Sequence, residues 1–77
     1  MKTRFYVLKF QPEKNRVFTL IESLGICDSL NEARKLIPSN FQVVPFSEMG
    51  KVGEHIMISN LEKPKDESDI LEYYEQE

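Results

Sequence analysis

The sequence predicts a small α+β domain of two layers, in which two strands, one helix and two further strands follow one another along the chain (ββαββ). Three observations support this prediction: two runs of aromatic and β-branched residues near the N-terminus, a helix-start signal in the middle of the chain, and a compact apolar run at residues 55–59. With 77 residues, the chain has room for one hydrophobic core. We therefore expect one domain and justify its elements in order.

The first two predicted strands form a hairpin. Residues Thr3–Phe10 are rich in aromatic and β-branched side chains, and the turn-forming cluster Gln11–Asn15 follows them. After this turn, Arg16–Ser23 again favours a strand, and Gly25 is expected to break it. A connection of about five residues between two such runs is typical of an antiparallel hairpin.

A short helix is predicted next. Ser29 and Glu32 form a capping box, in which each side chain can bond to the backbone N–H of the other. Apolar side chains then recur at spacings of three and four, at Leu30, Ala33, Leu36 and Ile37. Because Pro38 ends the pattern after about eight residues, the helix is too short to be stable alone and must pack its apolar side on the sheet.

The last two predicted strands differ in character. Phe41–Phe46 contains Pro45, which has no N–H for a ladder, so this strand is expected at an edge of the sheet. His55–Ser59 is apolar on both faces and is expected inside the sheet. These preferences suggest the strand order 2-1-4-3.

In that order the first and last strands are parallel neighbours and the helix crosses one face, which resembles the ubiquitin-like β-grasp topology. The resemblance concerns the fold and implies no activity. The sequence closes with Glu75, Gln76 and Glu77 and lacks the terminal glycine pair of conjugated modifiers, so we expect no conjugation activity.

The charge distribution divides the chain into a predicted ββαββ domain, 1–61, and an acidic C-terminal tail, 62–77. The first segment carries eight basic and six acidic residues, a net charge of +2, whereas the second has a net charge of −5. Within the tail, Ile70, Leu71 and Tyr74 would share one side of a short amphipathic helix. Two interpretations stay open: the tail folds back on the sheet or frays, or it docks as a helix on a partner.

The inventory of reactive residues argues against an enzyme. Cys27 and His55 are the one cysteine and the one histidine, and nothing in their spacing brings them together. A lone cysteine forms no intramolecular disulfide, and we predict no metal site and no cofactor. The longest apolar run, Phe5–Leu8, is far too short for a membrane span, so we expect a cytoplasmic protein that does not bind membranes.

The apolar side chains of the predicted sheet suggest a binding role. Tyr6 and Phe10 alternate with apolar neighbours that point to the opposite face, and Phe18 does the same on the second strand. One short helix can cover one face at most, so the other needs a cover: the chain's own C-terminal segment, a protein partner, or a second copy. The predicted partner-binding residues are Tyr6, Phe10, Phe18, Ile70, Leu71 and Tyr74.

We therefore predict a non-enzymatic protein-binding module: a small intracellular regulator or inhibitor that occupies a surface of a larger protein and takes no small-molecule substrate. Its size and acidic end are similar to those of small phage-borne or bacterial regulators. The alternative is single-stranded nucleic-acid binding through sheet aromatics with nearby Arg4 and Lys9. The weak positive charge of residues 1–61 and the acidic tail disfavour this alternative.

Overall fold

The computed structural model describes residues 3–50 and 52–76. The predicted segments 1–61 and 62–77 therefore lie within it except for Met1, Lys2, Lys51 and Glu77. Its strands are β1 (Phe5–Pro12), β2 (Phe18–Cys27), β3 (Phe41–Val43), β4 (His55–Ser59) and β5 (Ile70–Gln76), and its α-helix is α1 (Leu30–Arg34). The strands form one sheet in the order β2-β1-β4-β5-β3, and every neighbouring pair is antiparallel.

The C-terminal segment is the main difference between the predicted and the observed fold. Residues Ile70–Gln76 form neither a helix nor a tail but a strand between β4 and β3. The order 2-1-4-3 is therefore wrong, and the β-grasp arrangement is wrong too because β1 and β4 are antiparallel. The protein is a mostly antiparallel five-stranded sheet with one short helix and 3₁₀ turns, and the predicted two-layer ββαββ class with a C-terminal helix or tail is corrected accordingly.

The formation of β5 has a local physical reason. Its adjacent tyrosines, Tyr73 and Tyr74, favour a pleated, half-covered surface, and seven residues are too few for a stable isolated helix. As a strand, the segment gains a hydrogen-bonded neighbour on each side: Tyr74 is opposite Ile56 on β4 and Val43 on β3. The acidic residues before it close a 3₁₀ turn, Glu67–Asp69, instead of starting an α-helix.

The predicted hairpin is present, but β2 is longer than expected. Gly25 lies inside β2, which continues to Cys27. The register leaves Ile21 and Leu24 without partners on β1, so two bulges interrupt the strand. A side chain at Gly25 would place a Cβ atom 2.6 Å from Leu36 Cδ1, and the glycine therefore allows the chain after α1 to pack closely on β2.

The capping prediction for α1 is confirmed on the Ser29 side. The Ser29 hydroxyl accepts the backbone N–H of Glu32 at 3.2 Å. The α-helix has only five residues, and backbone bonds from Leu36 to Ala33 and from Ile37 to Arg34 extend it as a tighter turn. Ala33 is fully buried against the first face of the sheet, where Val7, Ile56, Ile58 and Tyr74 form the core.

Strand β3 has the edge position and β4 the interior position that the sequence predicts, although β5 lies between them. All five residues of β4 are buried, which confirms the predicted interior strand. β3 is an edge strand, as Pro45 predicts, but it has only three residues. No helix among the described residues is long and apolar enough to cross a membrane.

The second face of the sheet is covered by a part of the chain that the sequence analysis did not consider. Its core consists of Leu8, Phe10, Met57 and Tyr73. The connection from β3 to β4 packs Val44, Phe46 and Met49 against this core, because β3 and β4 are separated by β5 and the chain must cross the sheet between them. This crossing, rather than a C-terminal helix, shields the second face.

Candidate protein-binding surface

The six predicted partner-binding residues are divided between the core and the surface. Phe10 is 1% exposed and Tyr74 is 9% exposed, so both rings belong mainly to the core. Three are half-buried against the second face: Tyr6, Phe18 and Ile70. Leu71 is 45% exposed. The structure thus brings Ile70 and Leu71 together at the start of β5. Tyr6 lies in the same row as Ile70, with Ser59 of β4 between them, whereas Phe18 is opposite Pro12 at the other end of β1.

An apolar groove lies at the start of β5, and we call it the β5 groove. It has a volume of about 390 Å³ and is lined by Val43, Val44, Pro45, Phe46, Ile70, Leu71, Glu72 and Tyr73. Val43 is 62% exposed at its mouth, on the opposite wall from Leu71. Seven of the eight lining residues are apolar or aromatic, which is typical of surfaces that bind by removing apolar area from water.

The groove exists because β3 ends early. The backbone N–H of Val44 donates to the carbonyl of Tyr73 at 2.8 Å, and Pro45, which has no N–H, follows. The chain then turns onto the second face. In the described residues, Ile70 and Glu72 consequently pair with β4 on one side and with no strand on the other, and Leu71 between them is the extra residue of a bulge. An unpaired strand edge therefore borders the apolar lining.

One carboxylate, that of Glu72, lines the β5 groove. Glu72 is bound by Arg34 of α1 through two bonds, Nε to Oε1 at 2.9 Å and Nη2 to Oε2 at 2.8 Å. These bonds hold the pKa of Glu72 below its ordinary value, so this carboxylate stays ionised.

A second, smaller concavity lies on the β1–β2 side. It has a volume of about 210 Å³ and is lined by Tyr6, Leu8, Leu20, Ile21, Glu22, Ser23, Ile26, Glu62 and Lys63. Its lining mixes both signs of charge, and the bulges at Ile21 and Leu24 break the regular edge of β2 beside it. Natural sheets use bulges of this kind to block pairing at an edge, and the open part of β5 has one as well, at Leu71.

A buried hydrogen-bond network anchors the wall of the β5 groove. The Tyr73 hydroxyl lies 2.5 Å from Nδ1 of His55 and donates to Oε1 of Glu75, also at 2.5 Å. The same carboxylate oxygen accepts the backbone N–H of Gly50 at 2.6 Å, and Nε2 of His55 bonds to the carbonyl of Val52 at 3.2 Å. The network therefore ties the connection from β3 to β4 to both of the strands beneath it.

The Tyr73 hydroxyl and both ring nitrogens of His55 have partners in this network. The Tyr73 hydroxyl has one hydrogen, which it donates to Glu75, and its oxygen is also within hydrogen-bond distance of Nδ1 of His55. Nε2 bonds to the Val52 carbonyl, and Nδ1 lies 4.0 Å from the Glu75 carboxylate. In this arrangement every polar atom of the three side chains that lies inside the network has a partner.

The pKa shifts of Glu75 and Tyr73 agree with the hydrogen bonds of this network. Burial alone would raise the pKa of Glu75, but the hydrogen bonds from Tyr73 and Gly50 stabilise the carboxylate and hold its pKa below its ordinary value. Burial and the neighbouring Glu75 carboxylate raise the pKa of the Tyr73 hydroxyl, which therefore remains a donor. Phe46 packs edge-on against the Tyr73 ring, with ring centroids 5.5 Å apart, so the network also fixes the floor of the groove.

The reactive residues of the chain lie apart. Cys27 is opposite Phe5 and His55 is opposite Phe10, so about 16 Å of β1 separates the cysteine from the imidazole. His55 is fully buried, and its partners hold it in a structural network. Among the described residues, no group of three or more His, Cys, Asp or Glu is arranged to hold a metal ion.

Comparison of the chain with protein-family models, with curated proteins and with solved structures finds no match. The argument about function therefore depends on the geometry above. Sequence reasoning named Ile70 and Leu71 but missed the opposite wall, Val43–Phe46. The signal for that wall was Pro45 near the end of a predicted edge strand, which indicates that the strand pairing stops there.

Proposed function

We propose that the protein is a non-enzymatic binding module, a small intracellular regulator or inhibitor that occupies a surface of a larger protein, and that the β5 groove is its contact surface. One observation carries the proposal: an apolar groove lies directly beside an unpaired strand edge. Exposed apolar side chains scattered singly are ordinary on soluble proteins, but an apolar concavity at an open edge offers both backbone bonds and side-chain burial to a partner.

The extent of the groove supports a modest, specific contact. Val43 and Leu71 expose large fractions of their side chains on opposite walls, and Ile70 is half-buried between them and the core. Burial of such side chains contributes about 1.5–3 kcal/mol each. The intracellular part of the proposal is supported by the single unpaired cysteine, Cys27, in a domain that has no disulfide to stabilise it.

The single-stranded nucleic-acid alternative has less support. Lys9, one of the cations that would contact phosphates, lies 3.5 Å from Glu22 and 3.8 Å from Glu54. A cation between two carboxylates attracts a phosphate weakly because its charge is already compensated.

Affinity capture with surface variants tests the proposal. Leu71→Arg places a charged side chain at the mouth of the groove, and Val17→Arg is the matched control because Val17 is similarly exposed and lines neither concavity. We expect the tagged wild-type chain and Val17→Arg to retain the same stoichiometric partner from a lysate of the source organism, and Leu71→Arg to lose it. Equal retention by all three chains would contradict the proposal.

A third variant, Ile26→Arg, tests the smaller concavity. Loss of the partner with Ile26→Arg and retention with Leu71→Arg would move the contact surface to the β1–β2 side and overturn the assignment of the β5 groove. Circular dichroism of each variant must match the wild type before the capture results are compared.

A further inference from the structure

The buried network of His55, Tyr73 and Glu75 has more contacts than hydrogens when the imidazole is neutral. Nε2 of His55 lies 3.2 Å from the Val52 carbonyl, and Nδ1 lies 2.5 Å from the Tyr73 hydroxyl. That hydroxyl lies 2.5 Å from Oε1 of Glu75. Each contact needs one hydrogen between its two atoms, but a neutral imidazole and a tyrosine hydroxyl supply two, and an ionised carboxylate supplies none. All three contacts are therefore satisfied only when the network holds one further proton.

The further proton belongs on the imidazole ring. The Val52 carbonyl can only accept, so the hydrogen of that contact comes from Nε2. The Tyr73 hydroxyl donates its one hydrogen to Glu75, so the hydrogen between Tyr73 and His55 comes from Nδ1. Although burial opposes it, the hydrogen bonds from Tyr73 and Gly50 hold the pKa of Glu75 below its ordinary value, so the carboxylate does not supply the missing hydrogen.

The described groups around the ring provide a partner for its charge. From β5, the Tyr73 ring stacks on His55 with centroids 5.6 Å apart, and the Glu75 carboxylate lies 4.0 Å from Nδ1. From β1, the uncharged ring of Phe10 packs at 5.5 Å. Glu54, which precedes His55 in the chain, lies 3.8 Å from Lys9. Glu75 is therefore the carboxylate that balances a ring with hydrogens on both nitrogens.

Loss of the further proton should break the contact with Val52. This contact is the longest of the three, and Val52 is 90% exposed, so its carbonyl can accept a hydrogen from water instead. The two contacts of Tyr73 join groups inside the sheet, where a missing hydrogen costs more. The neutral ring therefore keeps its hydrogen on Nδ1, and the lone pair of Nε2 then repels the Val52 carbonyl.

We infer that His55 is a pH-sensitive latch on the connection from β3 to β4: the ring with hydrogens on both nitrogens fastens Val52, and loss of the Nε2 proton to water releases it. The release is local, because the backbone N–H of Gly50 still donates to Glu75 and both contacts of Tyr73 keep their hydrogens. The latch goes beyond the proposed function, because it fastens the chain to itself and needs no partner.

Nitrogen NMR of the folded full chain tests the latch, and the single histidine makes its ring signals unambiguous. Both ring nitrogens and the backbone carbonyl signal of Val52 are followed as the pH is raised through the range in which the chain is folded. We expect Nε2, and not Nδ1, to lose its hydrogen, and the Val52 signal to shift with the same midpoint. Loss from Nδ1, a Val52 signal that does not follow the ring, or a ring that keeps one protonation state throughout would each overturn the latch.

Two tyrosine variants separate the latch from an ordinary histidine titration. Tyr73→Phe removes the oxygen beside Nδ1, so the neutral ring can keep its single hydrogen on Nε2, where the Val52 carbonyl accepts it. In this variant we expect Nδ1 to lose the hydrogen and the Val52 signal to stay unchanged. Tyr74→Phe is the control, because its hydroxyl bonds to Glu72, and it should switch like the wild type. A Val52 signal that shifts equally in both variants would overturn the latch. If Tyr73→Phe does not fold, the nitrogen that loses its hydrogen in the wild type decides the result.

Discussion

Removal of one buried hydroxyl should show how strongly the network beneath the β5 groove stabilises the fold. Tyr73→Phe keeps the ring, which is 2% exposed and packs on Phe10 and Phe46, and deletes only the oxygen that joins His55 to Glu75. After the change, Nδ1 of the fully buried His55 has no partner in the network, and Glu75 Oε1 keeps only the N–H of Gly50.

The loss of stability expected for Tyr73→Phe follows from these two missing hydrogen bonds. A buried polar group without a partner costs about 1–3 kcal/mol, and a hydrogen bond to a charged group contributes about 1.5–3 kcal/mol. Because the two losses share one oxygen and are not additive, we expect Tyr73→Phe to lower the free energy of unfolding by about 2–4 kcal/mol. A domain of this size has a total stability of about 4–10 kcal/mol, so the effect is large.

The neighbouring tyrosine supplies the matched control. Tyr74→Phe also deletes one hydroxyl, which donates to Glu72 Oε1 at 2.9 Å, but that carboxylate keeps both bonds from Arg34. We therefore expect a loss of about 1 kcal/mol or less. Urea unfolding followed by circular dichroism at pH 7 measures both variants on the same baseline.

Acid titration adds an independent check. The pKa of Glu75 is lowered in the folded state. Its contribution to the free energy of unfolding is therefore fully present at pH values above the ordinary pKa of a carboxyl group, and it is lost as the pH falls through the folded pKa. Tyr73→Phe removes a bond that lowers this pKa, so the stability difference between wild type and variant should narrow as the pH falls through the folded pKa of Glu75. Equal, small losses for Tyr73→Phe and Tyr74→Phe at pH 7 would refute the reasoning about the network.

Three further changes probe the fold. Phe10→Ala should lower the free energy of unfolding in urea by about 3–5 kcal/mol, because the ring is buried in the core. An unchanged urea midpoint would show that Phe10 is not a core residue. Gly25→Ala should lower the free energy of unfolding by about 1–3 kcal/mol, because φ is +154° and the new Cβ would meet Leu36. Leu36→Ala in the same chain should recover part of this loss, and absence of any recovery would rule out the clash. Arg34→Ala should lower the urea midpoint at pH 7, and this difference should shrink as the pH falls through the lowered folded pKa of Glu72; a difference that does not shrink in acid would contradict the ion pair.

Local signals in the sequence were informative where one element determines the outcome. The capping box at Ser29, the interior character of His55–Ser59 and the edge placement implied by Pro45 each depend on a few adjacent residues, and the structure confirms all three. The hairpin of β1 and β2 was predicted on the same basis, although Gly25 was wrongly taken as its end.

The C-terminal strand could not be predicted in this way because its conformation depends on its neighbours. Ile70, Leu71 and Tyr74 have a spacing that suits a helix face, and the acids before them resemble a helix start. Pairing with β4 and β3 outweighs these local preferences. The β5 groove depends on that pairing, so it was beyond sequence reasoning even though two of its residues had been named.

The place of β5 also changes which experiments are informative. Deletion of residues 62–77 would remove an interior strand and uncover β4, so it would test folding rather than binding. Single substitutions at exposed positions such as Leu71 are the appropriate probes, because surface changes away from caps and core contacts usually alter stability by about 0.5 kcal/mol or less.

Backbone hydrogen exchange is the most direct test of the β5 groove as the contact surface. Amides are compared in the free chain and in complex with the partner that affinity capture retains. We predict slower exchange, by about tenfold or more, for at least one amide within residues 70–73, and unchanged protection in β4, which is already paired on both sides. Protection that appears along β2 instead, or a bound partner that leaves residues 70–73 unaffected, would contradict the account.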